Sequence, residues 1–165
     1  MLYFGYGSNL NQKDFEEWAE RTGSSVKALL FKQIAKLPDY RPAYTYFSRT
    51  RNGGVLDVVK DPGAITLGGL FEADKNTEKA LNAKEGCGSC YDRIQVKVIT
   101  ENGIEEAFTY VVVEKKKEKY VKPSETYVEV VRQGLLDHHF PQSWIERMDR
   151  AAKNIEETAQ DYDFN

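Results

Sequence analysis

"YDRIQVKVITENGIEEAFTYVVVE", residues 91–114, decides the fold. Both of its apolar runs alternate with polar side chains, as at Ile94, Val96 and Val98, which is the period of a half-buried strand. Between them stands Glu-Asn-Gly, and Asn-Gly favours a tight hairpin turn. An antiparallel β-ribbon is expected here, and the rest of the chain has to supply what it pairs with.

Upstream, "GVLDVVKDPGAITLGGLFEAD" (54–74) contains two short apolar runs, 55–59 and 65–71, joined by "KDPG". Proline presets a turn, so a second hairpin is expected. The segment 24–54 carries strand-like alternation at Val26, Ala28 and Leu30 and aromatic alternation at Tyr44 and Tyr46, then a loop at "RTRNGG". A short helix over 76–83, capped by Asp74 or Asn76, leads into "KEGCGSCYDR" (84–93). At the start, "LYFGYGSNL" (2–10) begins as a strand and becomes a turn at Gly7, Ser8 and Asn9. A helix follows, with Phe15, Trp18 and Ala19 at helical spacing and Gly23 as its stop.

The last third changes character. "PSETYVEVVRQGLL" (123–136) sets Tyr127, Val130, Val131, Gly134 and Leu135 on one helical face behind Ser124 as N-cap. "PQSWIERMDRAAKNIEE" (141–157) does the same with Trp144, Met148, Ala151, Ala152 and Ile155, so two helices are expected over about 124–158. Six or more strands with helices grouped at the ends imply α+β: a small, mostly antiparallel β-barrel or curved sheet flanked by helices. The 165 residues fit one domain, 1–165, large enough to bury a core without metals or disulfides.

Composition narrows the function. With 41% hydrophobic and 30% charged residues the chain falls in the soluble globular class. Neither a membrane-spanning run nor an export signal is read in the sequence, so a cytoplasmic location and no membrane partner are expected. A formal net charge of -3 argues against nucleic acid as a partner. The basic run "EKKKEKY" (114–120) is flanked by glutamates and reads as a solvated loop. Cys87 and Cys90 form a CxxC, but with only His138 and His139 elsewhere the set matches zinc-ligand spacing poorly; reduced thiols are expected, the alternative being a disulfide that deforms the Glu85 loop and switches activity off. The two histidines follow a helix end, where capping is expected.

"FGYGSNL" (4–10), the 54–74 segment, "LNAKEG" (81–86) followed closely by a tyrosine, and a Tyr-bearing helix after "PSETY" (123–127) occur in one order. That order resembles the gamma-glutamylcyclotransferase-like (AIG2-like) family over most of the chain. The glutathione-specific branch of that family differs at the position held here by Asn9. The resemblance implies a small barrel with surrounding helices, often a homodimer, that cyclises γ-glutamyl amides to 5-oxoproline and releases an amine, without a cofactor. It implies Glu85 as the acid/base. It places Tyr3, Phe4, Gly5, Tyr6, Gly7 and Ser8 along the substrate cavity, with Tyr91 and Tyr127 as further contacts.

The residues agree with such chemistry. Cyclisation needs the α-amine deprotonated and held against the γ-carbonyl, so positioning supplies much of the acceleration. Donors must meet the developing charge on the γ-oxygen, and backbone N–H groups in the turn at 6–9, which includes Asn9, would offer a cradle. The same turn also reads as a tight turn at Gly7 with Asn9 or Asn11 capping the helix, and cap and cradle are compatible. Glu85 would take the ammonium proton and return it to the leaving amine. Arg49 or Arg51 would hold a substrate carboxylate. The open alternatives are a γ-glutamylamine cyclotransferase acting on isopeptide-like or aminoglycoside-like amides, and a non-catalytic small-molecule-binding module on the same fold.

Overall fold

In a computed structural model that describes residues 1–155, the ribbon over 91–114 is the expected antiparallel hairpin, running from Tyr91 opposite Val112 to Thr100 opposite Gly103, so that Glu101 and Asn102 make the turn and Gly103 opens the second strand. In chain order the strands are β1 (Leu2–Gly5), β2 (Leu30–Ser48), β3 (Gly53–Glu72), β4 (Tyr91–Thr100) and β5 (Gly103–Val112). The helices are α1 (Gln12–Thr22), α2 (Lys75–Glu85), α3 (Glu125–Asp137) and α4 (Gln142–Ala152). The strands close into a barrel in the order β1-β3-β2-β4-β5. All neighbours are antiparallel except β1 and β5, which run parallel with Tyr3 opposite Phe108.

Two strand expectations need correction. The count is five among the described residues, because β2 and β3 are 19 and 20 residues long and absorb segments that read as separate strands. "KDPG" does not reverse the chain: both of its flanking apolar runs belong to β3 and pair with the same partner, β2. Pro38 pairs with Ile65 and Tyr40 with Lys60, so Asp39 alone faces residues 61–64 across a bulge. Pro62 has no N–H for the ladder, and Asp39, at φ 63°, accepts the Gly63 N–H at 2.9 Å. Turn chemistry is present, but it bends the ribbon instead of ending it. At the other end of β2, Val26 and Ala28 lie before the strand, which starts at Leu30.

The helices stop where their caps dictate. Asn11 accepts the Asp14 N–H and Gly23 ends α1 in the left-handed region; Asp74 caps α2, and Ser124 caps α3 by accepting the Tyr127 N–H. α4 ends at Ala152, so Ile155 lies beyond its apolar face and is exposed, and residues 156–158 of the expected helix lie outside the described residues. The helices bury Phe15 and Ala19, Leu81, Val131 and Leu135, and Trp144 and Met148, against a barrel core that includes Phe4, Leu56, Leu70, Val98 and Phe108. Full burial of such a side chain stabilises the fold by about 1.5–3 kcal/mol. Two glycines permit closest approach. A Cβ on Gly68 would stand 2.5 Å from the Phe4 ring, and one on Gly134 would stand 2.7 Å from the Asn11 nitrogen, where α3 lies against the turn that follows β1.

The run at 114–120 is more than a solvated loop. After a single 3-10 turn (Glu114–Lys116), Lys117 reaches the fully buried Asp57 of β3 at 3.2 Å, and the Tyr120 hydroxyl donates to the Ala152 carbonyl at 2.5 Å. Among the described residues no helix is long and apolar enough to cross a membrane.

Candidate active site

β1 and the turn after it set one wall of a cavity of about 640 Å³. Tyr3 comes from β1, and Tyr6, Gly7, Ser8 and Asn9 follow as the chain leaves the barrel. A 3-10 turn, Ser8–Leu10, is closed by Leu10 N–H to the Gly7 carbonyl at 3.0 Å and Asn11 N–H to the Ser8 carbonyl at 2.9 Å. Asn11, not Asn9, caps α1, and its amide also donates to the Val130 carbonyl of α3 at 3.0 Å. The side chain of Asn9 is therefore released for the cavity.

Glu85 is the last residue of α2, is half-buried and lines the same cavity. The Asn9 Nδ2 donates to Glu85 Oε1 and to the Tyr3 hydroxyl, both at 2.9 Å. Residues 76 positions apart in sequence thus meet through one amide. Asn9 is 5% exposed, and its Oδ1 has no hydrogen-bond partner among the described residues. Among the described residues Glu85 is also the sole carboxylate lining the cavity, whereas Arg21, Arg49, Arg51 and Lys84 all line it. Arg51 is engaged by Asp14 through two hydrogen bonds of 2.6 Å, and this pairing raises its guanidinium above the ordinary range. Burial lowers the Lys84 ammonium, against the pull of Glu85.

Tyrosines make the rest of the lining. Tyr127 of α3 accepts the Leu56 N–H at 3.3 Å, and Tyr91 donates to the Leu56 carbonyl at 3.0 Å, so both are fastened to the start of β3. Tyr6 donates to the Tyr110 carbonyl at 2.5 Å, and the Tyr110 hydroxyl donates to Asn82 of α2 at 2.6 Å. Burial, then the Glu85 charge, pushes the Tyr3 and Tyr91 phenols well up; burial, then Asp57, does so for Tyr6. Tyr127 is pushed up to about 12 by burial. All four stay neutral at physiological pH, and the hydroxyls of Tyr3 and Tyr127, which accept protein N–H groups, keep their own protons to donate.

Of the residues anticipated from the motifs, Tyr3, Tyr6, Gly7, Ser8, Asn9, Glu85, Tyr91 and Tyr127 line this one cavity. Phe4 and Gly5 do not. Phe4 alternates to the other face of β1 and is wholly buried against Gly68, while Gly5 lies under the rings of Tyr3 and Phe71. The cavity also takes Trp18, Arg21 and Thr22 from α1, Tyr46 from β2, Tyr110 from β5 and Cys90, none of which the motifs pointed to. Tyr110 carried a signal, since it shares strand parity with Phe108, which pairs beside Tyr3. His138 is stacked on Phe31 at 3.9 Å, and burial lowers its imidazole, so it caps α3 through its backbone and not as a cation.

A carboxylate beside neutral hydrogen-bond donors, within a cavity of ligand size, can move a proton on a bound molecule and hold an oxyanion. Comparisons with known proteins bear on the fold and the family. A solved gamma-glutamyl cyclotransferase superposes with a TM-score of 0.76 at 25% identity, covering 96% of this chain and 89% of that one. An uncharacterized protein from Homo sapiens superposes at 0.75 and 27% identity, with the same coverage. YkqA from Bacillus subtilis superposes at 0.78 and 20% identity; the chain spans about half of its length, 56%, and this likeness concerns the fold alone. No curated protein matches the chain. The model of the AIG2-like family matches residues 66–148, just over half of the sequence, from the second part of β3 into α4. The chain therefore belongs to the AIG2-like family.

Proposed function

We propose that the chain is a cyclotransferase that converts γ-glutamyl amides to 5-oxoproline and a free amine. One observation carries this reading: Glu85, tethered by Asn9, faces a tyrosine-lined cavity whose wall is the turn at 6–9. The likeness to a solved gamma-glutamyl cyclotransferase supports it. In the reaction the substrate's α-ammonium passes a proton to Glu85. The freed nitrogen attacks the γ-carbonyl carbon and forms the ring C–N bond. Negative charge then gathers on the former carbonyl oxygen, where the Tyr3 and Tyr127 hydroxyls and the N–H groups of the turn would donate. Glu85 returns its proton to the leaving nitrogen as the amide C–N bond breaks, and the surplus proton on the ring nitrogen passes to the departing amine, which leaves as an ammonium.

The cavity's charge favours leaving groups that bring a carboxylate over polycationic ones such as aminoglycosides. Arg21 and Arg49 line the cavity and form no ion pair with a described residue, and among the described residues no carboxylate besides Glu85 lines it. Release of 5-oxoproline from a panel of γ-glutamyl amino acids and amines tests the proposal. Glu85→Gln keeps the shape and removes the base, so turnover should fall by about 10²–10⁴-fold, the usual worth of a positioned acid/base. No product from folded wild-type protein would overturn the reading and leave a binding module on the same fold.

A further inference from the structure

The proposed chemistry leaves the thiol on the cavity wall unused. Cys90 lines the cavity and is a free thiol, as is Cys87, which is exposed. Both sit in the loop 86–90 between α2 and β4. The loop is wound tightly: the Ser89 and Cys90 N–H groups both bond the Gly86 carbonyl, at 3.0 and 2.9 Å, and the Gly88 N–H bonds the Tyr91 carbonyl at 2.8 Å. The sulfur of Cys90 stands 3.4 Å from where a Cβ on Gly86 would be, so it lies beside the residue that follows Glu85.

Two hydroxyls serve this sulfur. Tyr46 of β2 donates to Cys90 Sγ at 3.4 Å, and Ser89 Oγ lies 3.6 Å from it. An O–H donor pointed at sulfur stabilises the thiolate, which is the reacting form. Tyr46 first, then Ser89, hold the Cys90 thiol below its ordinary range, with Lys116 adding to the effect and burial and Glu85 opposing it. Cys87 has no hydrogen bond of this kind among the described residues. The pair is thus asymmetric: one thiol is activated and reachable through the cavity, and the other stands three residues away on the outside.

We propose that Cys90 is a thiol-modification site for low-molecular-weight disulfides entering the cavity, with Cys87 as the thiol that resolves the adduct. In the first step the Cys90 thiolate attacks one sulfur of RS–SR. The reagent's S–S bond breaks, RS⁻ leaves and takes up a proton, and a Cys90–S–SR mixed disulfide forms. In the second step the Cys87 thiolate attacks Cys90 Sγ and expels the second RS⁻, leaving a Cys87–Cys90 disulfide. Two protein thiols are oxidised and one small disulfide is reduced to two thiols. Either product alters the wall at Gly86, next to Glu85, so oxidation switches the site off and reduction restores it; this consequence rests on the cyclotransferase reading.

The experiment uses the full chain and 2-hydroxyethyl disulfide at neutral pH, followed by intact mass and peptide mapping after acid quench. Wild type should lose two hydrogens and carry no adduct. Cys87→Ser should accumulate one adduct, mapped to Cys90, on the order of tenfold faster than Cys90→Ser gains one at Cys87, the gap expected of an activated against an ordinary thiol. Tyr46→Phe in the Cys87→Ser background should slow labelling and shift its pH profile upward. Equal rates at the two cysteines, or an adduct persisting on Cys87 in wild type, would overturn the proposal; mapping in wild type does not depend on how any variant folds. 5-Oxoproline release, measured before oxidation, after it and after dithiothreitol, separates the two readings. Complete oxidation with unchanged turnover overturns the switch, whereas no turnover in the reduced protein overturns the cyclotransferase reading.

Discussion

Asn9 carries an unusual load for one amide. It joins Tyr3 and Glu85, yet its own Oδ1 is buried without a partner among the described residues. An orphaned buried acceptor costs about 1–3 kcal/mol, so this side chain is held in place at some expense to stability. A bound substrate with an ammonium or N–H group would relieve that cost, which gives the cavity an affinity for a donor beside Glu85. Asn9→Leu keeps the approximate volume and removes both the orphan and the tether. Turnover should then fall by about 10–100-fold, the worth of a hydrogen bond to a charged group, while the melting temperature holds or rises. Parallel kinetics and thermal unfolding check this; equal losses in both would make Asn9 a packing residue.

At the scale of elements, α3 and the turn after β1 are fitted to each other. Gly134 allows the helix to touch Leu10 and Asn11, and Tyr127, one side of the same helix, reaches Leu56 and the cavity. Gly134→Val should push α3 away and lower stability by about 1–3 kcal/mol, as overpacking does. Turnover in the folded fraction should fall as well, because Tyr127 and the turn shift together; urea denaturation alongside kinetics would show both. This coupling was only partly legible in the sequence. Caps and local periodicity identified α1, α2, α3 and the β4–β5 hairpin, because each is decided within a dozen residues. The continuity of β2 and β3 was not legible, since proline and glycine at 62–63 give the same local signal in a bulge as in a turn. In the site, eight of the motif residues share one cavity; Phe4 is turned away from it by strand parity, whereas Gly5, on the same side as Tyr3, is covered by the rings of Tyr3 and Phe71. Tyr46 was read as a sheet residue like Tyr44. A register shift between those two tyrosines turns it toward Cys90, and pairing of that kind is fixed only when distant strands meet.

Across the whole molecule, barrel closure depends on a buried carboxylate. Asp57 of β3 is 0% exposed, accepts the Thr45 hydroxyl of β2 at 2.9 Å and the Val112 N–H of β5 at 3.0 Å, and pairs with Lys117 beyond them. Two strands that are not neighbours of one another are thereby tied through β3 behind the tyrosine cavity. Burial raises this carboxyl above its ordinary range, in spite of the Val112 N–H and Lys117, which pull it down. A carboxyl whose folded value is raised favours the fold most when protonated, so its contribution is full below the unfolded value and is lost as pH rises through the folded one. Lys117 limits that loss at neutral pH. Lys117→Met keeps the aliphatic stem and removes the cation; its other pair, with the exposed Glu114, is worth little. The variant should be less stable than wild type by about 3 kcal/mol at pH 7, the cost of leaving a buried charge unpaired. Because Asp57 can then take a proton more readily, the gap should narrow as pH is lowered toward about 5. Urea titrations of both proteins at the two pH values decide it: no gap at either would mean that Lys117 contributes through its stem alone, and a gap of the same size at each would mean that protonation of Asp57 does not relieve the loss of the cation.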